Sequence, residues 1–100
     1  MAHSGSVLQI RFIMTNTKRL IIENLCYTEL VYQRINKKLA TDLSKVQIEQ
    51  LIDTILKKTS EASYIKTGKN YYVTSSDDHI RITINSNTFR VITVDRLRKV

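Results

Sequence analysis

Apolar residues recur along this chain with two different periods. From Ile80 to Ile84 the order Ile, Arg, Ile, Thr, Ile alternates strictly, as a strand with one buried face requires. A second β-branched and aromatic run follows from Thr88 to Val94, and Asn85-Ser86-Asn87 between the two supplies residues that tolerate turn conformations. A two-residue turn at Ser86-Asn87 pairs Ile84 with Phe89, Ile82 with Val91 and Ile80 with Thr93, and so predicts a buried face of Ile80, Ile82, Ile84, Phe89 and Val91. The opposite face then carries Thr83 beside Arg90, Arg81 beside Ile92 and His79 beside Val94. Upstream, Gly68-Lys69-Asn70 reads as a turn entering a strand at Tyr71 to Thr74, with either Tyr71 or Tyr72 on the buried side. Leu8, Ile10, Phe12 and Met14 also alternate and predict a strand near the N-terminus, ahead of which Met1 to Ser6 reads as a disordered start or a cloning remnant.

Between these strand patterns the period changes to that of a helix. Thr15-Asn16-Thr17 offers N-cap residues before a short helical segment from Lys18 to Leu25, which Cys26-Tyr27-Thr28 interrupts. Thr28 then caps a second segment, with Glu29 in its first turn, Val31, Ile35 and Leu39 at fourfold spacing, Leu30 beside them, and Arg34, Lys37 and Lys38 facing away. The third helix has the strongest signals. Ser44 and Gln47 form a capping box, Leu43 and Ile48 a hydrophobic staple, and Ile48, Leu51, Ile52, Ile55 and Leu56 a continuous stripe that ends at Lys57-Lys58. The predicted fold is α+β, with two main helices on one face of a mostly antiparallel sheet of three to four strands in β-α-α-β-β-β order, forming a single domain over residues 7–100.

Composition narrows the class of function. The 100 residues carry 16 Lys and Arg against 9 Asp and Glu, a net charge of +7 that suits a polyanionic partner such as RNA or DNA, although lysines used only for solubility give the same sum. A lone cysteine, Cys26, and no apolar run of membrane-spanning length point to a cytoplasmic protein without membrane partners. No linker, repeat or low-complexity segment is visible, with two glycines and no proline.

Several stretches together are similar to a known family. Leu25-Cys26-Tyr27-Thr28-Glu29-Leu30, Arg34-Ile35 with Leu39, Gly68-Lys69-Asn70-Tyr71-Tyr72-Val73, Ile82-Thr83-Ile84-Asn85-Ser86 and Ile92-Thr93 resemble the bacterial domain of unknown function 3781 family. The family pattern has Leu-His-Thr-Thr-Glu-Leu-Gly, an Arg-Ile pair with a later Leu, Gly-Lys-Asn-Trp-Tyr-Val, and Ile-Thr-Val-Asn ending in Ile-Ile-Thr-Ala-His-Lys. The resemblance spans about residues 20–94, and its most specific piece is Gly68 to Val73. This chain departs from the pattern with Cys26 in place of His, Val31 in place of Gly, and Val94-Asp95 in place of Ala-His. The resemblance implies a bacterial or phage-related origin and no established activity. By fold-level analogy, a strand, two helices and an antiparallel meander also resemble RelE-like small ribonuclease toxins, which use basic side chains without metal.

Metal-free RNA cleavage needs a base for the 2′-hydroxyl, an acid for the leaving oxygen and cations for the growing charge on phosphate. The predicted faces put His79 forward as acid or base, with Arg81 and Arg90 as the phosphate clamp. The candidate nucleic-acid contacts are Lys66, Lys69, Tyr71, Tyr72, Arg81, Arg90 and Arg96, the tyrosines by stacking on bases. The bland reading of Arg81 and Arg90 is a solvated sheet face, and that of Gly68 a turn with positive φ. Cys26 is expected as a small buried thiol, and Tyr27 and Tyr32 as packed rings with hydroxyls at the rim. One Cys and two His give no zinc-like spacing, so neither metal nor cofactor is expected. The sequence thus favours a nucleic-acid-interacting protein, with RelE-like ribonuclease activity as its sharpest form. The alternative is a non-enzymatic protein-binding module, such as a phage-encoded inhibitor or toxin partner. An edge strand at Tyr71 to Val73 or Leu8 to Met14 also offers a route to a homodimer.

Overall fold

The computed structural model describes residues 17–98, in which three helices precede a four-stranded antiparallel sheet. Helix α1 covers residues 17–24. Helix α2 is Glu29–Leu39 and α3 is Lys45–Lys58, followed by a 3₁₀ turn at Glu61–Ser63. The strands β1 (Tyr64–Thr67), β2 (Asn70–Ser75), β3 (Ile80–Asn85) and β4 (Val91–Arg96) lie side by side in chain order. The α+β class agrees with the sequence patterns, but the order of elements is α-α-α-β-β-β-β. The strand expected at Leu8 to Met14 falls outside the described residues. The unforeseen strand is β1, whose Tyr-Ile-Lys-Thr does not alternate and buries only Tyr64.

Local chemistry explains the helix ends. At the start of α3 the Ser44 hydroxyl accepts from Gln47 N–H at 3.1 Å while Gln47 Oε1 accepts from Ser44 N–H at 2.8 Å, so both halves of the capping box are made. At its far end the Lys18 ammonium donates to the carbonyls of Lys57 and Thr59, each at 2.7 Å, placing a cation at the negative end of the helix dipole. Helix α2 stops where Ala40 turns left-handed at φ 56°, and the Asn36 side chain ties the following link to Leu43. Tyr27 and Tyr32 stack with ring centres 5.4 Å apart, and the Tyr32 hydroxyl donates to Glu49, joining α2 to α3.

The buried stripes of the helices meet one face of the sheet. Ile21 of α1, Val31, Ile35 and Leu39 of α2, and Ile48, Ile52, Ile55 and Leu56 of α3 share a core with Tyr64, Val73, Ile80, Ile82, Ile84, Val91 and Val94. Each fully buried isoleucine contributes ~1.5–3 kcal/mol, so a one-residue slip of β3, which would expose three of them, is strongly disfavoured. Leu30 stands apart from the predicted stripe, since its side chain is 71% exposed.

The β3–β4 register differs from the one the sequence implies. Ile84 pairs with Val91, Ile82 with Val94 and Ile80 with Arg96, with a bulge at Thr83/Ile84. Two causes combine. The connection is a longer loop, closed by Asn85 N–H to Arg90 O at 2.9 Å, with Phe89 at φ 59° inside it. The bulge then sets Ile92 and Thr93 against one residue of β3, so Val91 and Val94, three apart, both face the core. Phe89, expected in the strand core, is only half-buried in that loop.

The two sheet edges are treated differently. Along β4 the edge is occupied: Cys26 exchanges backbone hydrogen bonds with Phe89 and Val91, Arg34 donates to Ile92 O at 3.2 Å, and Lys38 pairs with Asp95 at 3.1 Å. The β1 edge is short and carries the exposed Lys66, features that blunt strand-to-strand association.

Candidate functional site

Two turns meet at one end of the sheet. Thr67 pairs with Asn70 across Gly68-Lys69, with φ +61° at Gly68 and no positive φ at Lys69, the requirement of a type II′ hairpin turn. Lys69 O then accepts from Ser86 N–H at 2.8 Å, which fixes this turn against the β3–β4 loop. Inside that loop Asn85 Oδ1 accepts from Asn87 N–H at 2.8 Å and Thr88 N–H at 2.9 Å, and Arg90 N–H donates to the Thr88 hydroxyl at 3.3 Å. Every backbone N–H from Asn85 to Val91 is therefore used within the protein, and an anion arriving at this loop meets side chains.

Those side chains are of one sign. Residues 64–74 and 82–93 contain Lys66, Lys69 and Arg90 and no Asp or Glu. All three cations are exposed, and among the described residues none lies within an ion pair. Five other cations are paired: Arg19 with Glu23, Lys38 with Asp95, Lys45 with Glu29, Lys57 with Asp53 and Lys58 with Asp78. The hairpin end thus carries three cations and, among the described residues, no ion pair that offsets them.

The sheet face away from the helices continues from that end. Strand register puts Ile65, Tyr72, Thr83 and Thr93 across it in one row, and Arg81 lies over the Tyr72 ring at 5.8 Å from its centre. Tyr71 points the other way and packs on the core. Of the two tyrosines, Tyr72 is the one on the face away from the helices.

The remaining candidates separate. His79 sits in the β2–β3 turn at φ 55°, its carbonyl accepting from Leu97 N–H at 2.7 Å. Beside it, hydrogen bonds from Lys58 and Ser75 hold the Asp78 carboxyl below the ordinary range. Arg90 is bonded to Asn85, six residues along β3 from His79, a separation of about 20 Å at ~3.3 Å per residue. The expected grouping of His79, Arg81 and Arg90 around one phosphate is therefore not formed, because the longer loop sets Arg90 against Asn85 instead of Thr83, farther from Arg81 and His79. Arg96, on the helix side of the sheet, donates to Leu39 O at 2.7 Å and serves the end of α2. Cys26 is exposed, not buried, with its thiol donating to Thr88 O at 3.3 Å. Arg34, read from the sequence only as a solvent-facing residue of its helix, is brought near Arg90 by the pairing of α2 with β4. No group of three or more His, Cys, Asp or Glu able to hold a metal ion exists among the described residues, and no helix there is long and apolar enough to cross a membrane.

A family model described as "Protein of unknown function (DUF3781)" matches residues 19–95. The chain belongs to that family. No curated protein and no solved structure matches it. The segment that most closely follows the DUF3781 pattern, Gly68 to Val73, forms the II′ turn and most of β2. Cys26 and Asp95 adjoin opposite ends of β4.

Proposed function

We propose that this DUF3781 member binds a nucleic acid, RNA in the first place, at the hairpin end that carries Lys66, Lys69 and Arg90. The observation that carries the reading is the absence of any carboxylate from that end, together with the lack of an ion-pair partner for each of the three cations. Unpaired surface cations on a rigid pair of turns attract phosphates at low cost in ordering, and release of counterions supplies the affinity. Tyr72 with Arg81 above it extends this end along the sheet face away from the helices, where a base of a single strand can stack.

Binding stands ahead of cleavage in this reading, because the acid–base candidate His79 lies at the far end of β3 from Arg90. Fluorescence anisotropy with a labelled single-stranded RNA at low salt tests it. Lys69→Met and Arg90→Met are each expected to weaken binding, and each to reduce the slope of log K against log salt by roughly 0.7 to 0.9. Affinity unchanged in both variants, or no binding at low salt, would overturn the proposal and turn attention to a protein partner. Incubating the same RNA without added metal, with His79→Ala and Arg81→Ala as controls, tests RelE-like cleavage separately.

A further inference from the structure

We infer that the notch between the start of α2 and the start of β4 is a pocket for a phosphomonoester, with Arg34 and Arg90 as its anion-binding groups. It is a cavity of about 210 Å³, lined by the apolar Leu30, Val31 and Ile92 and by Thr28, Arg34 and Arg90. A volume of this size holds several waters, or a phosphate with a small carbon group attached. Three other cavities are each lined by at least one carboxylate: Glu23 and Glu61 in one, Glu49 and Asp53 in another, Asp77 in the third. The notch is lined by two cations and no acid. Glu29, next to Thr28 in sequence, is turned to Lys45 at 2.6 Å.

Both arginines are placed before any ligand arrives. Arg34 uses one donor on Ile92 O at 3.2 Å, which anchors its guanidinium on β4 and leaves most of its fork for a ligand. Arg90 has its backbone held by Asn85 and Thr88, so the root of its side chain is fixed. Two arginines lining one small cavity with no acid favour an anion there. A phosphomonoester carries about −1.5 to −2 charges at pH 7 and matches the pair, whereas an internal phosphodiester carries one. Val31 and Ile92 supply the apolar contact for the carbon portion.

The pocket stands on its own geometry. Its use for the phosphorylated end of a nucleic-acid strand, instead of a free sugar phosphate, rests on the function proposed above. The test compares a short single-stranded RNA carrying a terminal phosphate, at either end, with the same RNA ending in hydroxyls, using the full chain and anisotropy. The phosphorylated end is expected to bind roughly tenfold tighter, a preference set by the charge-assisted fork on Arg34 and Arg90. Leu30→Glu puts a carboxylate at the rim of the notch on a side chain that is 71% exposed, so it erases the preference without disturbing the fold. Arg34→Gln erases it as well. Lys69→Met weakens both RNAs equally and keeps the ratio. Equal affinity of the wild-type chain for the two RNAs, with no shift of the Val31 and Ile92 amides by ribose 5-phosphate, would overturn the pocket while leaving RNA binding intact. RNA that fails to bind, with ribose 5-phosphate still shifting the amide signals of Val31 and Ile92 in NMR titration, would uphold the pocket and overturn the RNA reading. Silence in both assays would overturn both.

Discussion

Gly68 holds φ +61°, and a Cβ built there would touch no atom within 4 Å, so the need for glycine is conformational and not a matter of space. Gly68→Ala is accordingly expected to lower stability by ~1–2 kcal/mol, the cost of a left-handed L-residue, and Gly68→Asn by less, since Asn visits that region more readily. Urea unfolding of the two variants checks both the size and the order. Asp78 offers a second prediction at this scale. Hydrogen bonds from Lys58 at 2.8 Å and from Ser75 at 2.7 Å favour its ionised form and lower its pKa. A carboxyl whose folded pKa is depressed adds stability that is fully present above its unfolded pKa of ~3.9 and is lost as pH falls through the folded value. Asp78→Asn should therefore destabilise the protein near neutral pH by about 1 kcal/mol and make its stability less steep in the acid range. Thermal melts from pH 7 down to pH 3 read both effects, and parallel curves for the two proteins would show that the pair is inert.

At the scale of elements, α3 was legible because its signals are local and agree with one another. Ser44, Gln47, the apolar stripe and Lys57-Lys58 all lie within 15 residues, and the capping box forms as its spacing requires. Ser44→Ala is expected to cost ~1 kcal/mol, and Ser44→Asp to retain most of the stability, because a carboxylate caps the same N–H and suits the helix dipole. Chemical denaturation followed by far-ultraviolet circular dichroism measures this. The β3–β4 hairpin was legible in kind but not in register. Alternation fixes which face of β3 is buried, yet it says nothing about a bulge on the partner strand or about Phe89 taking a left-handed backbone. Those two features decide the candidate site, since a two-residue turn would have set Arg90 close to Arg81. Likewise Tyr71 and Tyr72 are equivalent in sequence, and the pairing of Val73 with Ile82 alone puts Tyr72 outside and Tyr71 on the core.

Across the described residues ion pairing is uneven, and the cations at the hairpin end take no part in it. Lys18, Lys38, Lys45, Lys57, Lys58 and Arg96 each serve a helix end or a carboxylate, whereas Lys66, Lys69 and Arg90 make no ion pair among the described residues. Like charges gathered at one end raise the energy of the compact state, most of all at low ionic strength where the Debye length is long. Replacing the three by Met takes the formal net charge from +7 to +4. The triple variant is therefore expected to melt at or slightly above the wild-type temperature in dilute buffer. Added salt, which screens the repulsion, should stabilise the wild-type chain more than the variant. Loss of RNA affinity without loss of stability is what separates a binding surface from a structural one. A melting temperature well below wild type would show that these side chains hold the two turns together. Differential scanning calorimetry at low and at physiological salt, paired with the anisotropy titrations, distinguishes the two.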